Sequence, residues 1–241
     1  LLPISVVLVF SVAAVFYGLL MLVVIFALNV QVKLPAKAAA VKRSQATRSH
    51  HRILVLIWLI LINYTTIHLS YSLWESVMAV HMTNMGIPFY AYSLLWTLNG
   101  VLIIVGQPLV NKLSPYIKLS NQIMVGLLIF ASSFLLLIFA RSLWAFALDF
   151  VILTVGEMTS FAGLPAWISQ LTTVNETGHY QGLLNITMSI GRAIGPLYGG
   201  FVIDQGNYQD LFVSVFLLIA GTLLVVFGYL LHLRHQQRIS N

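Results

Sequence analysis

Cysteine is absent from this 241-residue chain, and charge is scarce. Without thiols there can be no disulfide and no thiolate metal site. Only 7% of residues are charged, against about a quarter in a soluble domain, so a water-facing surface cannot be coated. A basic face for nucleic acid is missing too, because the Lys and Arg residues stand in segments beside apolar runs. What is present is apolar: 59% of the residues are hydrophobic, with 14 Phe, 10 Tyr and 5 Trp. These residues come in runs of about 20, the length a bilayer core of about 30 Å asks of a helix. The alternation over about ten residues that marks a transmembrane β-strand is not seen. The chain therefore reads as an all-α integral membrane protein.

Seven helical spans are predicted, over residues 4–28, 53–80, 88–110, 121–140, 143–171, 179–203 and 210–232. The segment after the first span holds Lys33, Lys37, Lys42, Arg43, Arg48 and Arg52, with no acid. Lys112 and Lys118 follow the third span, and Arg234 and Arg238 follow the seventh. The opposite side has Arg141 against Asp204 and Asp210. Basic loops stay in the cytoplasm, which predicts a multi-pass protein of the cell membrane with its C-terminus inside. A chain that opens with Leu1-Leu2-Pro3 and enters a span at once from outside suggests the middle of a longer protein. The expected division is 1–28 as the last helix of a preceding N-terminal half, 29–52 as a basic central loop, 53–234 as a six-helix bundle and 235–241 as a tail.

Two helical bundles joined by a basic cytoplasmic loop is a layout that resembles the major facilitator superfamily. Local motifs carry the same resemblance. Gly191-Arg192-Ala193-Ile194-Gly195-Pro196-Leu197-Tyr198-Gly199-Gly200 looks like that family's antiporter motif, at the repeat-related fifth helix of the second half. Gly156-Glu157, then Pro165, then Gly178-His179-Tyr180-Gln181-Gly182 is similar to the tenth-to-eleventh helix region of bacterial drug:proton antiporters. Gly106-Gln107-Pro108-Leu109 with Asn111-Lys112 resembles a degenerate loop motif that lacks its usual acid. The resemblance implies seven transmembrane helices, the last six forming one half-bundle, with substrate held near the bilayer midplane.

An ionisable group inside a span costs about 2.5–3.5 kcal/mol on insertion scales, so each one asks for a reason. Glu157 and Arg192 lie about 17 residues from the turn near Val174 and Asn175, or about 26 Å at 1.5 Å per residue. Equal depth on antiparallel helices predicts that both face the interior and meet each other. A permanent ion pair would fix packing; a separable one could couple a proton to movement, because a nearby cation expels a carboxyl proton that burial retains. Asp149 sits two turns outward and can relay protons to Glu157 or cap the cavity.

Tyr64, His68, Tyr71 and Glu75 are spaced four, three and four apart and share one helical face, widened by Asn63. This stripe should line a wet cavity rather than lipid. Its His68 and Glu75 are further proton-handling candidates. Tyr64, Tyr71, Asn63, Trp96, Asn99 and Phe161 are the candidate substrate contacts, the aromatic ones through cation–π attraction. Trp167 belongs with them or with ordinary packing. Gly191, Gly195, Gly199 and Gly200 with Pro196 form the structural motif; Gly191, Gly195 and Gly199 make a small-residue ridge for close helix contact, and Pro196 adds a kink.

The function expected is proton-coupled efflux of small lipophilic or cationic compounds by alternating access. Sugar or metabolite uptake on the same fold is the alternative. A seven-helix receptor shares the topology, but the spans hold no Lys for a retinal Schiff base. Neither H-E-x-x-H nor a nucleophile elbow is present, so an enzyme is not expected. A channel would need a filter or a charged ring. No cofactor is expected, only a proton gradient. The expected partners are membrane lipids, a small-molecule substrate and the N-terminal half, with no nucleic acid.

Overall fold

The computed structural model describes residues 6–27 and 46–239. Residues 1–45 and 46–241 form two compact units. The first unit contributes helix α1 (Val6–Ala27), 22 residues without an acid in its first turn or a base in its last. The second unit holds α2 (Ala46–Ser76), α3 (Met78–Asn84), α4 (Phe89–Leu113), a 3-10 turn (Ser114–Tyr116), α5 (Leu119–Leu137), α6 (Leu143–Ser160), α7 (Gly163–Leu171), α8 (Val174–Gln205) and α9 (Tyr208–Ile239). Among the described residues, six stretches are long and apolar enough to cross a membrane, and all six lie in the second unit. No strand occurs among the described residues.

The punctuation between spans follows from local chemistry. Gly86 takes φ 80°, which a side chain resists, and Pro88 follows in extended backbone to open α4. Ser142 caps α6 by accepting a hydrogen bond from the Ala145 N–H at 3.4 Å. Thr173 and Glu176 form a capping box at the start of α8, with the Thr173 N–H donating to the Glu176 carboxylate at 3.2 Å. Val174 and Asn175, expected in the turn, are therefore the first helical residues, and the turn is Thr172–Thr173.

Several expected boundaries move. The basic stretch 46–52 is not loop but the first turns of α2, while 28–45, with Lys33, Lys37, Lys42 and Arg43, lies outside the described residues. Residues 235–239 continue α9 rather than forming a tail. The motif Gly106–Lys112 is helical, with Gln107 Nε2 donating to Asn111 Oδ1 at 3.0 Å within one turn of α4. Two predicted spans are interrupted: one at Val77, between α2 and α3, the other at Phe161–Ala162, between α6 and α7. Pro165 sits beyond the second break, inside the new first turn where a missing N–H costs nothing.

The unit is built on two tight helix pairs. In one, α5 meets α6 at Gly126 and Gly156; a Cβ on Gly156 would lie 2.5 Å from the Phe130 backbone nitrogen. In the other, α8 meets α2 at Gly191, Gly195 and Gly199, where a Cβ on Gly195 would overlap Ser72 Oγ and the Leu69 carbonyl oxygen. Without a hydrophobic drive between helices in lipid, such backbone approach supplies the dispersion contact that holds them. Phe130, Phe134, Phe146, Phe150 and Trp74 fill the centre, the Trp74 and Phe150 rings edge-to-face at 4.5 Å. Asn63 Nδ2 donates to Thr222 Oγ1 at 2.9 Å and ties α2 to α9.

Candidate functional site

Glu157 stands one turn before the break that ends α6. That position puts it among α2, α4 and α6. Its Oε1 accepts a hydrogen bond from the Tyr71 hydroxyl at 3.3 Å, and its Oε2 accepts one from Asn99 Nδ2 at 2.9 Å. Asn99 also donates to Thr154 Oγ1 at 3.0 Å, and Thr154 donates its own proton to the Phe150 carbonyl at 2.7 Å. Thr154 lies three residues before Glu157 and so shares its face, a spacing that could have singled it out in the sequence. Asn99 and Thr154 are buried and leave Glu157 anchored by neutral donors alone.

Aromatic rings wall this carboxylate. Tyr71 meets Trp96 edge-on at 5.8 Å and Phe161 at the same separation. Phe161 is the residue at which the α6 backbone breaks, and it also meets His68 at 5.5 Å. His68 in turn stacks edge-on with Tyr64 at 4.4 Å, and both its ring nitrogens are buried without a hydrogen-bond partner. The α2 stripe thus points at α4 and α6, and Tyr64, His68, Tyr71, Trp96, Asn99, Glu157 and Phe161 come together. Asn63, by contrast, turns to α9 through Thr222. Trp167 is buried on α7. Asp149 is 1% exposed, two turns along α6, and neither of its oxygens has a hydrogen-bond partner.

Arg192 does not meet Glu157. It forms an ion pair with Glu75, at the far end of the same α2 stripe, and the two side chains are 44% and 36% exposed. The cause is the rotation of α8 about its axis. Gly191, Gly195 and Gly199 must face α2, so the neighbouring side chain at 192 emerges beside α2 as well. Helix α6, meanwhile, is taken up by α5 and α4. Equal depth was not enough to make a pair. Gly200, in the motif but outside that ridge, points to open space, and α8 passes through Pro196 without interruption.

Chemically, this arrangement offers one half-buried carboxyl group with two neutral donors, an aromatic wall, and a separate ion pair nearby. Such a group can hold a proton or face an organic cation, and nothing fixed competes for it. Among the described residues no cluster of three or more His, Asp or Glu side chains is placed to bind a metal.

Comparison with known proteins agrees with the helical layout. The chain is 39% identical over 164 residues to the uncharacterized MFS-type transporter YttB of Bacillus subtilis, covering 65% of this chain and 41% of that protein. It is 26% identical over 169 residues to the vacuolar membrane amino acid uptake transporter fnx2 of Schizosaccharomyces pombe, covering 69% and 29% respectively. It is 30% identical over 106 residues to the vacuolar basic amino acid transporter 1 of Saccharomyces cerevisiae, covering 44% and 19%. The chain thus spans less than half the length of each of these relatives. Residues 76–240, from the end of α2 to the end of α9, match the family profile of the Major Facilitator Superfamily. Six apolar spans and a match across most of the chain lead to one conclusion: the chain belongs to the Major Facilitator Superfamily, whose members are transporters and not enzymes.

Proposed function

We propose that this chain forms the C-terminal half of a proton-coupled exporter of small lipophilic or cationic compounds, working by alternating access. The observation that carries the proposal is Glu157: half-buried, held by Tyr71 and Asn99, and without a fixed cation among the described residues. A carboxyl group in such a place exchanges one positive charge for another, a proton for a cationic substrate. Trp96, Tyr71 and Phe161 supply the ring faces that attract an organic cation. Arg192, held by Glu75, serves as a counter-charge that moves with α8 rather than as the direct partner of Glu157. His68 and Asp149 are the secondary proton stations of this scheme, with Glu75 beside them.

The other parts of the scheme follow. The spans of α4 and α8 are the least buried within the unit, and they carry the face that meets an N-terminal half. The proton gradient is the energy source and no cofactor is required. The protein sits in the cell membrane with the end of α9 in the cytoplasm, where the basic residues of its loops belong. A second reading, movement of amino acids, is favoured over sugar by the names of two relatives; one of them is named for basic amino acids, which the Glu157 carboxylate would suit.

The test uses the full-length transporter in proteoliposomes. Glu157→Gln should abolish accumulation driven by a pH gradient yet spare energy-independent exchange of substrate. Normal pumping by that variant would remove Glu157 from the coupling step. Competition by tetraphenylphosphonium against competition by arginine separates the two substrate readings.

A further inference from the structure

A groove elsewhere on the bundle is lined by none of the residues around Glu157. It encloses about 620 Å³ between α5 and α9, floored by Leu223 and walled by Met124, Leu128, Leu224 and Phe227. Only Asn121 and Arg234 are polar among its lining residues, and both stand at one end. From Ala220 to Arg234 the α9 wall rises about 21 Å at 1.5 Å per residue. One leaflet, headgroups included, is about 20–22 Å deep, half of a bilayer of about 40–45 Å. The groove therefore has the depth of a single leaflet, with its polar end at the membrane surface.

That polar end is cationic. Arg234 donates to Asn121 Oδ1 at 3.4 Å, and among the described residues no carboxylate pairs with it. Lys118 stands exposed one turn before Asn121. The acid at this end of the bundle, Glu176, is committed to capping α8. Nowhere between Leu211 and Asn241 does the sequence supply an acid. A guanidinium at the surface above an apolar, leaflet-deep groove fits an amphiphile with an anionic head and a long chain.

We infer that the α5–α9 groove is a binding site for an anionic glycerophospholipid, its phosphate on Arg234 and one acyl chain laid between Leu128 and Leu224. This goes beyond the transport reading and does not depend on it. A water-soluble substrate would leave the apolar walls unmatched. A neutral lipid would leave the guanidinium unmatched.

Native mass spectrometry of the full-length protein tests the assignment, after delipidation and add-back of phosphatidylglycerol or of diacylglycerol with the same chains. Phosphatidylglycerol should be retained roughly fivefold more strongly, the contribution of one basic residue near the surface. Arg234→Gln should bring retention down to the diacylglycerol level, and Arg234→Lys should restore much of it. Ala220→Phe, which fills the groove, should weaken both lipids. Arg141→Gln, at the other end of the bundle, should change neither. Equal retention of the two lipids in the unaltered protein would overturn the assignment. So would an Arg141→Gln loss as large as that of Arg234→Gln, which would indicate general charge attraction. Displacement by inorganic phosphate would likewise overturn it, by showing an anion site without a lipid.

Discussion

The two glycine-packed helix pairs differ in what surrounds the glycines. At α5–α6 a Cβ on Gly156 would lie 2.7 Å from Phe130 Cα and 2.8 Å from the Gly126 carbonyl oxygen, backbone on every side. Phe130, Phe134, Phe146 and Leu153 seal that contact, each at most 1% exposed. At α2–α8 the glycines approach as closely, but the rim is polar: Ser72 faces Gly195, and Glu75 pairs with Arg192 in partly exposed surroundings. A contact sealed by phenyl rings has one arrangement. One rimmed by a reachable ion pair has others, because each charge can find water or a different partner as the helices move. Close packing and mobility are therefore set by different residues on the same interface.

The largest effect expected from disturbing this contrast is at Gly156. Gly156→Val should prevent recovery of folded, monodisperse protein, since overpacking commonly costs about 1–3 kcal/mol and here only backbone is available to yield. A melting temperature like that of the unaltered protein would mean that α5 and α6 are not a rigid pair.

An intermediate effect belongs to the ion pair. Glu75→Gln and Arg192→Gln should each reduce transport while lowering stability by under about 1 kcal/mol, the range for partly exposed pairs. The combined Glu75→Gln, Arg192→Gln protein should transport better than the worse single variant, because neither charge is left alone. Strictly additive losses across the four proteins would show that the two residues act separately. Gly200→Ala should be the smallest change of all. Its Cβ meets nothing within 4 Å, and alanine favours helix over glycine by up to about 1 kcal/mol. Thermal melting should be unchanged or slightly raised; a clear drop would place an unseen neighbour against that face.

The six spans of the second unit and their order were legible in the sequence because a bilayer imposes length and apolarity so strictly. The polar face of α2 was legible from its spacing, and it does meet Glu157 through Tyr71. The partner of Arg192 was not. Counting residues from a turn gives depth, whereas pairing also needs the rotation of each helix about its axis. Gly191, Gly195 and Gly199 contained that rotation, since whatever they face is what Arg192 stands beside. The break at Val77 carries no proline or glycine and left no sequence signal, whereas the one at Phe161–Ala162 is marked by Gly163 and by Pro165, which cannot donate to the Phe161 carbonyl. The Asn63–Thr222 bond joins residues 159 apart, beyond what any local pattern can show.

The partnership of Glu75 with Arg192 also has a timetable. The two residues are 117 positions apart. At about 5–20 residues per second, roughly 6–23 s of synthesis separate the arrival of the carboxylate from that of the guanidinium. Through that interval α2 is already made while α8, whose glycines cover its backbone, does not yet exist. Helices α5 and α6, neighbours in sequence, can close on each other as soon as both are inserted. Biogenesis of this bundle thus runs from a finished apolar hairpin to a polar helix kept waiting, and its later helices complete its first.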